Sequence, residues 1–188
     1  GNTPAVIDET ADIRTAVSSI LMSKTFDNGV ICASEQSVIA VDSAYEAVKA
    51  EFLSRGAVVL GPEEKEKVGA VILKKGKINP DIVGQSAARI AELAGISVAP
   101  DVKVLIGEIE RTDASEPFAF EKLSPILAMC RATDFEDAIA KAAALVEFGG
   151  VGHTSVLYTN LENQDRISRF GSLMRTGRIL VNMPSSQG

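Results

Sequence analysis

Side chains able to do covalent or proton-transfer chemistry are scarce here: two cysteines, Cys32 and Cys130, and one histidine, His153, among 188 residues. Cys130 ends the apolar run Ile126-Leu127-Ala128-Met129-Cys130, where a thiol behaves as a small buried hydrophobe. Cys32 differs: it follows the turn signal Asn28-Gly29 and precedes Ala33-Ser34-Glu35-Gln36, so a loop can present it to solvent or a cleft. A thiol so placed is either an ordinary surface cysteine or a nucleophile, the latter when backbone donors or a cation draw its pKa below about 8.5. His153 comes just after the glycines of Gly149-Gly150-Val151-Gly152 and just before a strand-like run. A lone imidazole there is a structural or surface group, or an acid/base. Glu121, within Phe118-Ala119-Phe120-Glu121-Lys122-Leu123-Ser124-Pro125, is a solvated carboxylate or a site acceptor.

Other patterns carry less. Gly150-Val151-Gly152 follows a helix-like segment and precedes a strand, the reverse of the order that aims a helix N-terminus at a pyrophosphate. No Gly-Lys-Ser/Thr phosphate loop occurs. The mixed charges of Glu63-Glu64-Lys65-Glu66-Lys67 read as a solvated helix face. Two cysteines and one histidine are too few for a disulfide framework or a structural zinc site, so no metal is expected in this domain and a reducing, cytoplasmic setting is the default.

Positioning these groups falls to a regular alternation. Residues 10–24 carry Ile13, Val17, Ile20 and Leu21 on one helical face, and the β-branched run Ser37-Val38-Ile39-Ala40-Val41 reads as a buried strand. Ser43 with Glu46 forms a capping-box pattern opening the next helix. Residues 57–60 are strand-like, Pro62 suits a first helical turn, residues 86–94 make a helix stopped by Gly95, and residues 102–106 another strand. After the polar stretch 112–117, residues 126–129 are strand-like. Thr133 with Glu136 caps a helix whose stripe ends at Gly149-Gly150. Residues 154–159 read as strand, 163–175 as helix and 179–181 as a last strand. Continuous apolar strands alternating with helices predict an α/β fold with a largely parallel sheet covered on both faces, with ligands outside the carboxyl ends of the strands.

Composition sets outer bounds. With 46% hydrophobic residues, 23% charged and a net charge of −6, the chain can fill one core, and its acidity argues against a surface for nucleic-acid phosphates. No apolar run reaches the roughly 18–20 residues that span a bilayer, and no basic-then-apolar leader opens the chain. The chain starts at Gly1 without Met and stops at Gly188 in a loop-like stretch, so a piece of a longer polypeptide is expected.

The stretch Phe26-Asp27-Asn28-Gly29-Val30-Ile31-Cys32-Ala33-Ser34-Glu35-Gln36-Ser37 resembles the active-site segment of CoA-acylating aldehyde dehydrogenases, most closely the aldehyde dehydrogenase half of the bifunctional aldehyde-alcohol dehydrogenases. Gly1-Asn2-Thr3-Pro4, Ile7-Asp8-Glu9-Thr10-Ala11-Asp12, Glu116-Pro117-Phe118, Glu121-Lys122-Leu123-Ser124-Pro125, Gly152-His153-Thr154-Ser155 and Arg178-Ile179-Leu180-Val181-Asn182 extend the resemblance over essentially all 188 residues. It implies a three-layer αβα catalytic domain spanning 1–188, with the main NAD-binding domain outside the chain. It implies Cys32 as the nucleophile that becomes acylated, Glu121 as the carboxylate at the nicotinamide ribose of NAD, and His153 in proton handling or in the CoA step. It further implies aldehyde and acyl-CoA as substrates, an iron-dependent alcohol dehydrogenase half elsewhere in the parent, and a homo-oligomer or filament, with no nucleic acid or membrane partner. The rival readings are a hydrolytic aldehyde dehydrogenase domain and a non-catalytic α/β assembly module.

Overall fold

Strands and helices alternate along residues 1–187, the part described by the computed structural model. The strands are β1 (Thr3–Ile7), β2 (Glu35–Val41), β3 (Ala57–Val59), β4 (Leu73–Lys74), β5 (Lys77–Ile78), β6 (Val104–Ile109), β7 (Ile126–Ala132), β8 (Thr154–Tyr158) and β9 (Arg178–Val181). The α-helices are α1 (Ile13–Thr25), α2 (Asp42–Ser54), α3 (Pro62–Ile72), α4 (Ala87–Ala94), α5 (Phe135–Gly149) and α6 (Gln164–Leu173).

Seven strands form one sheet in the order β3-β6-β7-β2-β1-β8-β9, and every pairing is parallel, as the unbroken apolar runs require. From β1 the chain steps through α1 to β2 and through α2 to β3 in one direction; from β7 it steps back through α5 to β8 and through α6 to β9. Right-handed crossovers in opposite directions place α1 and α2 on one face and α5 and α6 on the other. Accordingly α1 packs on α2, and α5 packs on α6 and across β1, β2 and β7. Every residue of β1, β2 and β8 is buried, because both faces are covered. Side chains such as Val38, Ile39 and Leu127 each contribute on the order of 1.5–3 kcal/mol by leaving water.

Several local expectations need correction. The alternation expected from the sequence leaves out a strand at residues 3–7; β1 there lies in the middle of the sheet, where proline is disfavoured, and Pro4 is accommodated at a register irregularity between Thr3 and Pro4. Neither capping box forms as expected. α2 starts directly from β2 with no side-chain cap, and Asp42 and Glu46 instead accept from Arg131 at 2.6 and 2.7 Å. In α5 the cap is one residue later: Asp134 accepts from the Asp137 amide at 2.8 Å, and the Asp137 carboxylate reaches back to the Thr133 amide at 2.9 Å. A carboxylate is the stronger acceptor, so Asp134 displaces Thr133 from that role.

Candidate active site

The sequence-predicted site residues gather at the amino ends of the strands, not at the carboxyl ends as the sheet rule predicts. Gly1 precedes β1, Cys32 precedes β2, Glu121 precedes β7 and His153 precedes β8. These four strands are consecutive in the order β7-β2-β1-β8. The carboxyl-edge rule relies on the loops that leave strands for helix N-termini; here the chemistry sits on the loops that enter the strands.

The turn before Cys32 is built from unusual backbone. Asp27, Asn28 and Gly29 take φ of 48°, 52° and 70°. Asparagine and aspartate tolerate this region, but at Gly29 a Cβ would lie 2.8 Å from the carbonyl oxygens of both Lys24 and Ser124, so only glycine fits. The turn leaves Cys32 exposed, and the peptide N–H groups of Cys32 and Ala33 find no acceptor among the described residues.

Cys32 and His153 approach one another over the start of β1. Cys32 Sγ is 3.3 Å from His153 Nε2, and His153 Nδ1 is 3.1 Å from Thr154 Oγ1, which also accepts from Arg178 Nε at 3.3 Å. Gly1 occupies the intervening position; a Cβ there would stand 2.8–2.9 Å from the imidazole. Burial pushes the His153 pKa below its ordinary value of 6.5, so the ring is neutral at neutral pH. In the tautomer with the proton on Nδ1, Nε2 presents its lone pair to the thiol.

Glu121 stands beside this pair, its side chain 30% exposed and Oε2 accepting from the Gly1 nitrogen at 3.2 Å. Oε1 has no partner among the described residues. Lys122 holds the segment in shape by donating from Nζ to the carbonyls of Phe118 and Phe120 at 2.6 and 2.7 Å. Phe120 meets Phe148 edge-on with centroids 4.8 Å apart, tying this segment to the end of α5 and hence to the loop that carries His153. Cys130, by contrast, lies within β7, 1% exposed and opposite Ile39, with its pKa pushed up by burial.

Sequence reasoning missed the charges beneath the site. Lys24, Glu35 and Lys122 are fully buried. Burial brings Lys24 down to about 7 and Glu35 up to about 7, and holds Lys122 well below its usual range. Glu35 Oε1 accepts from the Ser185 amide at 2.7 Å, and Ser185 Oγ donates to the Ala33 carbonyl beside Cys32. The only sequence signal was an unbroken polar run, Ser34-Glu35-Gln36-Ser37, at the start of a strand that is otherwise apolar.

A thiol facing a neutral imidazole, with open peptide donors and an accessible carboxylate alongside, is equipped for acyl chemistry through sulfur. The model of the aldehyde dehydrogenase family matches residues 1–188. The chain belongs to the aldehyde dehydrogenase family. Over its full length it is 62% identical to the bifunctional aldehyde-alcohol dehydrogenase of Escherichia coli (strain K12), of which it covers 21%. Among solved structures it resembles an acetylating aldehyde dehydrogenase from Geobacillus thermoglucosidasius at 42% identity and TM-score 0.97, covering 100% of this chain and 41% of that one. It also resembles a Rhodopseudomonas palustris propionaldehyde dehydrogenase with bound CoA and an acylated cysteine, at 28% identity and TM-score 0.87, covering 98% of this chain and 41% of that one. The chain thus spans about a fifth of the length of the curated relative and two fifths of the solved ones.

Proposed function

We propose that this chain is the catalytic domain of a CoA-acylating, nicotinamide-dependent aldehyde dehydrogenase that interconverts acetaldehyde and acetyl-CoA through a thioester on Cys32. The observation that carries the proposal is the 3.3 Å approach of Cys32 Sγ to His153 Nε2. His153 accepts the thiol proton as Cys32 Sγ bonds to the aldehyde carbon, and the N–H groups of Cys32 and Ala33 receive the developing alkoxide. A nicotinamide held at the Glu121 carboxylate would supply the hydride acceptor for that carbon, and Cys32 then keeps the acyl group as a thioester. His153 releases its proton to solvent, takes the proton of the incoming CoA thiol and returns it to the departing Cys32 sulfur, so acyl-CoA forms and the free enzyme is restored. Exchange between two thioesters has little thermodynamic cost, so the same groups serve the reverse direction.

The residues present fit a nicotinamide cofactor: Glu121 Oε1 is an open, acceptor-only oxygen suited to the hydroxyls of a ribose. The main NAD-binding domain lies outside 1–188, and the parent works in the cytoplasm as an oligomer or filament with an iron-dependent alcohol dehydrogenase half. The role given to Cys32 draws support from the acylated cysteine of the Rhodopseudomonas palustris relative. In the intact enzyme, quenching turnover and mapping the acyl adduct by mass spectrometry tests the reading. An adduct on Cys32 that CoA discharges as acyl-CoA is expected. Release as a free acid would make the enzyme hydrolytic, and turnover surviving Cys32→Ala would leave an assembly module in place of a catalytic domain.

A further inference from the structure

One buried amide joins three chain segments at the site. Gln36, the second residue of β2, is fully buried. Its Oε1 accepts from Lys24 Nζ at 3.2 Å, in the last turn of α1, and from the peptide N–H of Lys122 at 2.9 Å, immediately after Glu121. Its Nε2 donates to the Ser34 carbonyl at 3.3 Å and lies 3.4 Å from Ser34 Oγ. Ser34 in turn closes the Cys32 turn, donating from Oγ to the Gly29 carbonyl at 3.3 Å and from its amide to the Ile31 carbonyl at 3.0 Å.

We propose that Gln36 is a positioning residue that sets the Cys32 turn against the Glu121 segment, and so aligns the nucleophile with the carboxylate that holds the cofactor. This rests on the roles given above to Cys32 and Glu121. The chemistry requires an amide. One end must accept two N–H donors, and the other must donate to a carbonyl on the nucleophile turn. An ionised carboxylate keeps the first function but sets an oxygen against the Ser34 carbonyl; a protonated one restores a donor. An apolar side chain of similar length loses both functions and leaves the Lys24 ammonium, the Lys122 amide and the Ser34 carbonyl buried without this partner. Neither Gln36 nor Lys24 touches the reacting atoms, so the effect runs through the placement of Cys32 and Glu121.

The test compares Gln36→Glu and Gln36→Leu with the parent in the intact enzyme, following Cys32 alkylation by iodoacetamide with mass spectrometry from pH 5.5 to 8.5. Steady-state kinetics and the unfolding midpoint are measured alongside. In Gln36→Glu at pH 8, alkylation and kcat should change by about 10- to 100-fold, the scale of a displacement near 1 Å between reacting groups, with a raised KM for the nicotinamide cofactor. The alkylation rate relative to the parent should return toward one as pH falls and the introduced carboxyl protonates. Gln36→Leu, where it folds, should be altered at every pH; where it does not, the Gln36→Glu profile decides alone. Relative alkylation within twofold of the parent at all pH values overturns the proposal, whether or not the unfolding midpoint moves. Because alkylation needs no turnover, it reports on Gln36 even if Cys32→Ala retains activity and the catalytic reading fails.

Discussion

Glu35→Gln exposes a cost that the native fold bears beneath its site. The Glu35 carboxyl is pushed up from 4.5 to about 7 by burial, only partly offset by hydrogen bonds that include the Ser185 amide. Between these values the unfolded chain has lost the proton while the folded chain keeps it, so folded protein binds more protons and stability falls as pH rises. The slope reaches about 1.4 kcal/mol per pH unit once the unfolded carboxyl is ionised; because that carboxyl is half protonated at pH 4.5 and the folded one begins to ionise by 6.5, the fall over this window is about 2 kcal/mol. Glutamine retains the oxygen that accepts from Ser185 and carries no titration. The difference in unfolding free energy, native minus variant, should therefore fall by about 2 kcal/mol across that window, leaving the variant the more stable chain at its upper end. Stopping at pH 6.5 stays below the native Lys24 value of about 7; Glu35 is one of the charges holding that value up, so titration of Lys24 in the variant works in the same direction and deepens the fall, while the common titration of His153 largely cancels. Urea unfolding of the 188-residue chain at half-unit pH intervals, read by far-ultraviolet circular dichroism, supplies the measurement. A difference that is flat with pH, or that rises, refutes the claim that this carboxyl stays protonated in the fold.

Three further outcomes follow from the same geometry. His153→Gln should lower acyl transfer by about 100-fold or more and remove the acidic limb of the pH–rate profile, which lies below pH 6.5 in the native enzyme because burial depresses the imidazole. Gly29→Ala should cost about 2 kcal/mol or more, seen as a lower urea midpoint, since φ is +70° and the new methyl meets two backbone carbonyls at 2.8 Å. Asp8→Ala should cost about 2–3 kcal/mol by calorimetry, because the buried carboxylate accepts from Thr10 and Thr159 where β1 and β8 end, while Arg166, 3.0 Å from Asp8, keeps its ion pair with Glu9 at 2.6 Å.

How far the fold was legible depended on whether the information was local. The apolar runs in β2, β6 and β7 are readable as parallel strands because their shortness and turn-like flanks decide for a strand buried on both faces, which periodicity alone does not separate from a buried helix. β1 is left unassigned by the sequence pattern; proline is disfavoured in a central strand, and Pro4 is accommodated only by the register irregularity beside it. Cys32 and His153 could be picked out as scarce reactive types, but they stand 121 positions apart, and their contact depends on the strand order β2-β1-β8, which no window of sequence contains. The same holds at the edge of the sheet where they meet. The α/β pattern alone favours the carboxyl ends, and the loops entering β2 and β8 become a site only because β1, between them, is preceded by a glycine with no side chain to intervene. Lys24, Glu35 and Gln36 were least legible of all. Polar residues near helix and strand ends usually face water, and these are buried because the Cys32 turn, the Glu121 segment and Ser185 close over them. A carboxyl and two amines buried so near the Cys32 thiol raise the cost of folding whichever protons they hold, and that cost is intelligible if the polar layer holds in place the backbone on which the thiol stands.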